Sequence, residues 1–162
     1  MSARRAAGQT GPERRQRDRS GKDQRHHARE AAVQMLYQWE IGRQSIPEVT
    51  QSYWTSGLPD HSALPDDLRQ FATMLTHGVV SSLGEIDPML AEAAVNWRLE
   101  RMAVMDRIVL RLAVYELLRQ PETPARVIIN EALELARTFS SDEAVPFVNG
   151  VLDSIRRRLE RA

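Results

Sequence analysis

Apolar residues recur along this chain at helical spacing and almost nowhere at the alternation of a strand. From about Gln24, the residues Ala28, Ala32, Met35, Leu36 and Trp39 fall at i, i+4, i+7, i+8 and i+11, the stripe of one helix, and Gly42 supplies a C-terminal stop. A shorter helix is predicted over Pro47–Trp54, followed by the loop SGLPDHSALPD. Leu68, Phe71, Ala72, Leu75, Val79 and Leu83 make another long stripe. Asp87-Pro88 reads as an N-cap followed by proline at the first helical position, opening a helix with Leu90, Ala94 and Trp97. Met102, Met105, Val109, Leu112 and Ala113 form a fifth stripe, closed by Pro121. Thr123-Pro124 repeats the cap-plus-proline signal ahead of Ile128, Ala132, Leu135, Ala136 and Phe139. Val148, Val151, Leu152, Ile155 and Leu159 form the last stripe. The β-branched cluster at 127–129 sits inside a helix-period pattern, so no strand competes. Six or seven short amphipathic helices joined by short loops predict an all-α bundle, and no internal repeat divides it.

Charge changes this picture at one end. The chain is neutral overall, yet residues 1–29 hold nine Lys/Arg against three acids, leaving +6 there and −6 on the rest. Such a separation points to a polyanion partner for the basic end, against the alternative of a solvated tail. Residues 1–21 lack aromatics and, Thr10 apart, β-branched residues, and cannot bury enough apolar surface to offset their ordering entropy. The expected division is therefore a disordered Arg-rich tail over 1–24 and a helical domain over 25–162. The 162 residues fit one domain with a tail, and no apolar run is long enough to span a bilayer. The start has no apolar signal region, Glu13, Asp18 and Asp23 argue against a transit peptide, and cysteine is absent. A cytoplasmic protein without disulfides or thiolate metal sites is expected.

No catalytic constellation can be assembled. Phosphate-cradling glycine loops and the HExxH pattern are missing, and adjacent His26 and His27 point about 100° apart on a helix, unsuited to sharing a metal ion. The chain reads as a non-enzyme, with no cofactor.

Three blocks, AREAAVQMLYQWE (28–40), VLRLAVYEL (109–117) and PARVIINEALELARTFSSDEAVPFVNGVLDSI (124–155), resemble the NusB family of transcription antitermination factors. The resemblance covers roughly residues 25–159. It implies seven helices in two three-helix bundles set across each other. It also implies a heterodimer with ribosomal protein S-ten (NusE) that binds the boxA element of nascent single-stranded RNA and helps RNA polymerase pass terminators in ribosomal RNA genes.

On that resemblance the basic end of the first helix is an arginine-rich RNA-binding motif: Lys22, Arg25, His26, His27 and Arg29. Arg25 and Arg29 lie one turn apart and are expected on one side of the helix. Several family members carry arginine where His26 and His27 stand here, so the upstream tail is expected to make up the charge. Gln34, one turn beyond Glu30, is a candidate for reading a base edge. Trp39 lies on the apolar stripe and is expected in the core. Tyr37 lies beside the stripe and is assigned to the partner interface. Phe147 falls about 100° to one side of the last stripe and matches the family's RNA-facing Phe; Asn149 and Gly150 are read as close-packing residues. Pro146 stands where the family often has lysine. Glu100 and Asp106 align with acidic positions at the S-ten interface, and Asp106 is expected to be exposed. Two other readings compete. An RNA methyltransferase would need a second α/β domain; a protein-binding helical adaptor would need no RNA site.

Overall fold

The computed structural model describes residues 12–56, 64–94 and 99–161, with side chains from residue 24 onward. These residues form seven α-helices and one 3-10 turn: α1 (Pro12–Ile41), α2 (Ile46–Ser56), α3 (Asp66–Ser81), α4 (Leu83–Ala93), the turn Leu99–Arg101, α5 (Val104–Arg119), α6 (Ala125–Phe139) and α7 (Ala144–Arg158). Most of the 56–66 loop and Trp97 lie outside the described residues. So does the part of the tail before Pro12.

Helices α1, α2 and α3 pack mutually, as do α5, α6 and α7, giving two three-helix bundles. Helix α4 lies on α5 and α7, while α1 and α3 both rest against α5. The first bundle encloses Ala28, Ala31 and Met35 with Val49, Tyr53 and Ala72, and Trp39 packs on its edge. A larger core surrounds α5, where Ile108, Val109, Leu110, Leu112, Ala113, Val114 and Leu117 are all buried. Buried residues run round most of the circumference of α5, which places this helix at the centre. Helices α3 and α5 approach so closely that the Tyr115 ring occupies the space a Cβ on Gly78 would need.

Backbone helix on α1 reaches upstream of Gln24, where the apolar period begins. Upstream of Gln24 the sequence offers no apolar stripe, and helix without tertiary packing is marginal. Packing against the rest of the domain is therefore expected to start at the 24/25 boundary.

Two cap assignments need correcting. The break between α3 and α4 falls at Ser82, whose N–H bonds back to Gly78 and Val79, so Asp87 and Pro88 lie inside α4 instead of opening it. Pro88 removes one helical hydrogen bond, and Asp87 serves as an ion-pair partner, accepting two 2.9 Å bonds from Arg111. At α6, Pro124 itself occupies the N-cap, with no side-chain cap bond. The C-terminal end of α5 is closed by Arg161, whose guanidinium donates to the carbonyls of Leu117, Gln120 and Thr123.

Candidate nucleic-acid and partner interface

The apolar half of α1 docks the helix against α3 and α5, and this docking fixes which of its basic residues face outward. Lys22 lies on the α1 backbone, ahead of the residues with described side chains. Arg25 and His27 are exposed. Arg29 is not: it is 3% exposed, and its guanidinium grips the equally buried Glu116 of α5 through Nε–Oε2 at 3.0 Å and Nη2–Oε1 at 2.8 Å. It also lies 5.7 Å from the centre of the Phe71 ring and 3.9 Å from Glu131 of α6. The assignment of Arg29 to RNA is therefore corrected. A phosphate could reach this group only by unfolding the pair, because two buried charges are held here by each other.

His26 is half-buried and tied down as well. Its Nδ1 meets Glu131 Oε2 at 2.6 Å, and its Nε2 meets Glu30 Oε1 at 3.2 Å. The hydrogen bond to Glu131 raises its pKa above the usual histidine value, burial opposes this, and the charges of Glu131, Glu30 and Glu134 add to the rise. A histidine tied to carboxylates on both ring nitrogens supplies less free positive charge than an arginine at the same position. His27 meets the same Glu30 at 3.2 Å but remains solvent-facing.

Gln34 is half-buried, and its Oε1 accepts a 2.6 Å bond from the Tyr53 hydroxyl of α2. Burial pushes the Tyr53 phenol up, so the hydroxyl stays a donor. The Gln34 side chain thus joins α1 to α2 through its carbonyl oxygen.

Phe147 and Asp106, assigned to RNA and to protein respectively, line one cavity of about 330 Å³ with Arg101, Met102, Ser141 and Glu143. Phe147 is half-buried and leans on the main core. Asp106 is half-buried too, against the expectation of full exposure, and its Oδ1 is buried with no hydrogen-bond partner among the described residues. This cavity is not beside the basic end of α1. Asp106 precedes Glu116 by ten residues, or about 15 Å along α5, and Glu116 is where Arg29 docks.

Tyr37 is 41% exposed and Ile41, one turn on, 59%. Between them Glu40 pairs with Arg107 and, at 3.3 Å, with Arg111; Arg107 also donates to the Leu99 carbonyl. The exposed Glu100 follows directly on Leu99. The Glu40–Arg107 pair thus ties the C-terminal half of α1 to the turn that carries Glu100.

Glu116 and Glu131 are not evident as site residues from the sequence. The signal for Glu116 is a lone acid inside the apolar run of α5, where an acid is rarely buried without a partner. Among the described residues no group of three His, Asp or Glu side chains could hold a metal ion, and no helix is long and apolar enough to cross a membrane.

The NusB family profile matches residues 26–157. "Transcription antitermination protein NusB" of Koribacter versatilis is 44% identical over 84% of this chain and 90% of its own length. The protein of the same name in Sorangium cellulosum is 45% identical over 85% and 94%. Among solved structures, T. maritima NusB matches with a TM-score of 0.72 at 32% identity, covering 82% of this chain and 90% of that one. NusB in a crystal structure with NusE and double-stranded RNA shares the fold, with a TM-score of 0.74 at 24% identity over 84% and 98%.

Proposed function

This chain belongs to the NusB family, and on that premise we propose that it binds boxA-type single-stranded RNA jointly with ribosomal protein S-ten (NusE). It is a transcription antitermination factor and not an enzyme. The complex would work in the cytoplasm with RNA polymerase during ribosomal RNA synthesis. Arg25 and His27, with Lys22 and the upstream arginines, supply phosphate contacts; Phe147 stacks on a base. Tyr37, Glu100 and Asp106 face S-ten. The fold is the one that carries NusE and double-stranded RNA in the solved complex, which supports this class of partners.

The observation that carries the reading is the Asp106 Oδ1, buried at the cavity beside Phe147 with no hydrogen-bond partner among the described residues. An unpaired carboxylate oxygen is costly in a folded chain and is relieved by a donor from outside. A lysine or arginine of a basic ribosomal protein is such a donor, and the net −6 beyond residue 29 favours its approach.

The test is a titration of Asp106→Ala with S-ten and with boxA RNA. S-ten association should weaken about tenfold or more with no loss of stability, because the carboxylate removed has a buried oxygen without a partner in the fold. Unchanged association would remove Asp106 from the interface. Binding of S-ten by a wild-type chain that takes up no boxA RNA, alone or in the heterodimer, would leave a protein-binding adaptor.

A further inference from the structure

We propose that the RNA strand bound at the basic end of α1 continues across α6 and over α7 to Phe147, held by Asn130, Asn149 and Arg126 and lying flat on Gly150. This path rests on the RNA-binding reading above and joins its two separated ends.

The starting observation is Gly150. It sits within α7, exposed, and a Cβ built on it meets nothing within 4 Å. Glycine weakens a helix interior, and here no neighbouring helix needs the space, so the expected close-packing role is absent. A missing side chain facing open solvent on a helix fits close approach by something outside the chain. The positions around it say what. On α7, Gly150 lies within about 100° of both Asn149 and Phe147, bridging the two.

Asn149 faces Asn130 of α6 across a groove of about 290 Å³, edged by Arg126, Asp153 and Arg156. Both asparagines are exposed, and neither makes a side-chain hydrogen bond among the described residues. Asparagine in an exposed helix interior is no better for the helix than its alternatives, so nothing within the fold accounts for either. Two free carboxamides offer donors and acceptors that match base edges and ribose hydroxyls.

The groove's charge suits a polyanion. Arg126 is exposed and has no ion-pair partner among the described residues. The one acid at the groove, Asp153, is engaged by Arg156 at 2.8 Å and Arg157 at 2.6 Å, and Glu134 on the neighbouring α6 surface is paired with Arg137. Continuity completes the case. Asn130 adjoins Glu131, the residue against which His26 docks the start of α1, and Asn149 stands two residues from Phe147. Between Arg25 and the Phe147 cavity, Asn130 and Asn149 thus present exposed carboxamides that make no side-chain hydrogen bond among the described residues.

The test is titration of a labelled single-stranded boxA RNA with the full chain, with and without S-ten, for wild type, Asn130→Ala/Asn149→Ala and Gly150→Leu. Both variants should melt at or above the wild-type temperature, since alanine and leucine favour helix. Both should bind RNA about tenfold or more weakly, and Gly150→Leu should bind S-ten alone as wild type does. Wild-type RNA affinity in both variants, with Arg25→Ala and Phe147→Ala weakened, would overturn this path and leave the proposed function standing. Absence of RNA binding by wild type would overturn both. Loss of S-ten binding by Gly150→Leu, with RNA affinity unchanged, would make this surface a protein-binding one and overturn the path.

Discussion

Arg29 and Glu116, 87 residues apart in sequence, meet as a bidentate pair inside the protein and couple the first helix to the central one. A residue type associated with phosphate binding is here a structural bolt. Its neighbour one turn earlier, Arg25, is exposed to solvent.

A consequence for stability follows. Removing one partner of a buried pair strands the other charge, so Arg29→Ala or Glu116→Ala should each cost about 3–5 kcal/mol. Replacing both together with apolar residues, as in Arg29→Met/Glu116→Leu, should recover most of that loss. Denaturant unfolding of the three variants checks it; additive losses in the double variant would show that the two residues do not act as a pair.

The His26–Glu131 pair predicts a pH dependence. Because the folded-state pKa of His26 is raised, its stabilisation is fully present below the unfolded value near 6.5 and is lost as pH rises through the folded value. The stability difference between wild type and His26→Gln should accordingly be largest in mild acid and shrink above neutrality. Glu131→Gln should flatten that profile. A difference independent of pH between about 5 and 9 would mean that the imidazole is not charged in this pair.

Phe147 carries a mixed expectation, because it is half-buried and leans on the core while lining an open cavity. Phe147→Ala should lose less than the roughly 3–5 kcal/mol of a fully buried phenylalanine. Stacking on a base is worth about 1–3 kcal/mol, so boxA affinity should fall by about one to two orders of magnitude. The loss should persist at all salt concentrations, since stacking releases no counterions. A large drop in stability with normal RNA binding by the folded fraction would place Phe147 in the core alone.

Helical periodicity made the architecture legible. The stripes through Leu75 and Val79, Ile128 and Leu135, and Val148 and Leu152 are all buried. Local signals were weaker guides to ends: Asp87-Pro88 has the composition of a cap, but Ser82 had already broken the chain, and Asp87 answers to Arg111 on another helix. The site was legible only by side. Arg29 lies on the face carrying Ala32, Val33 and Leu36, at i+3, i+4 and i+7 from it, whereas Arg25, one turn earlier, is exposed. That register was readable in the sequence. Its partner was not, because nothing local to α1 announces a carboxylate waiting on α5. The half-burial of Asp106 and the tie of Gln34 to α2 were hidden for the same reason, their surroundings being set by the start of α7 and by Tyr53 of α2.

The division of labour between the two arginines is tested most directly by the salt dependence of boxA RNA binding by Arg25→Ala beside wild type, each with S-ten. Neutralising one fewer phosphate on a single strand should flatten the slope of log K against log salt by about 0.7. Affinity at low salt should fall, and the melting temperature should stay where it is, because Arg25 is exposed. An unchanged slope and affinity in Arg25→Ala would contradict the assignment of the outward-facing end of α1 to RNA.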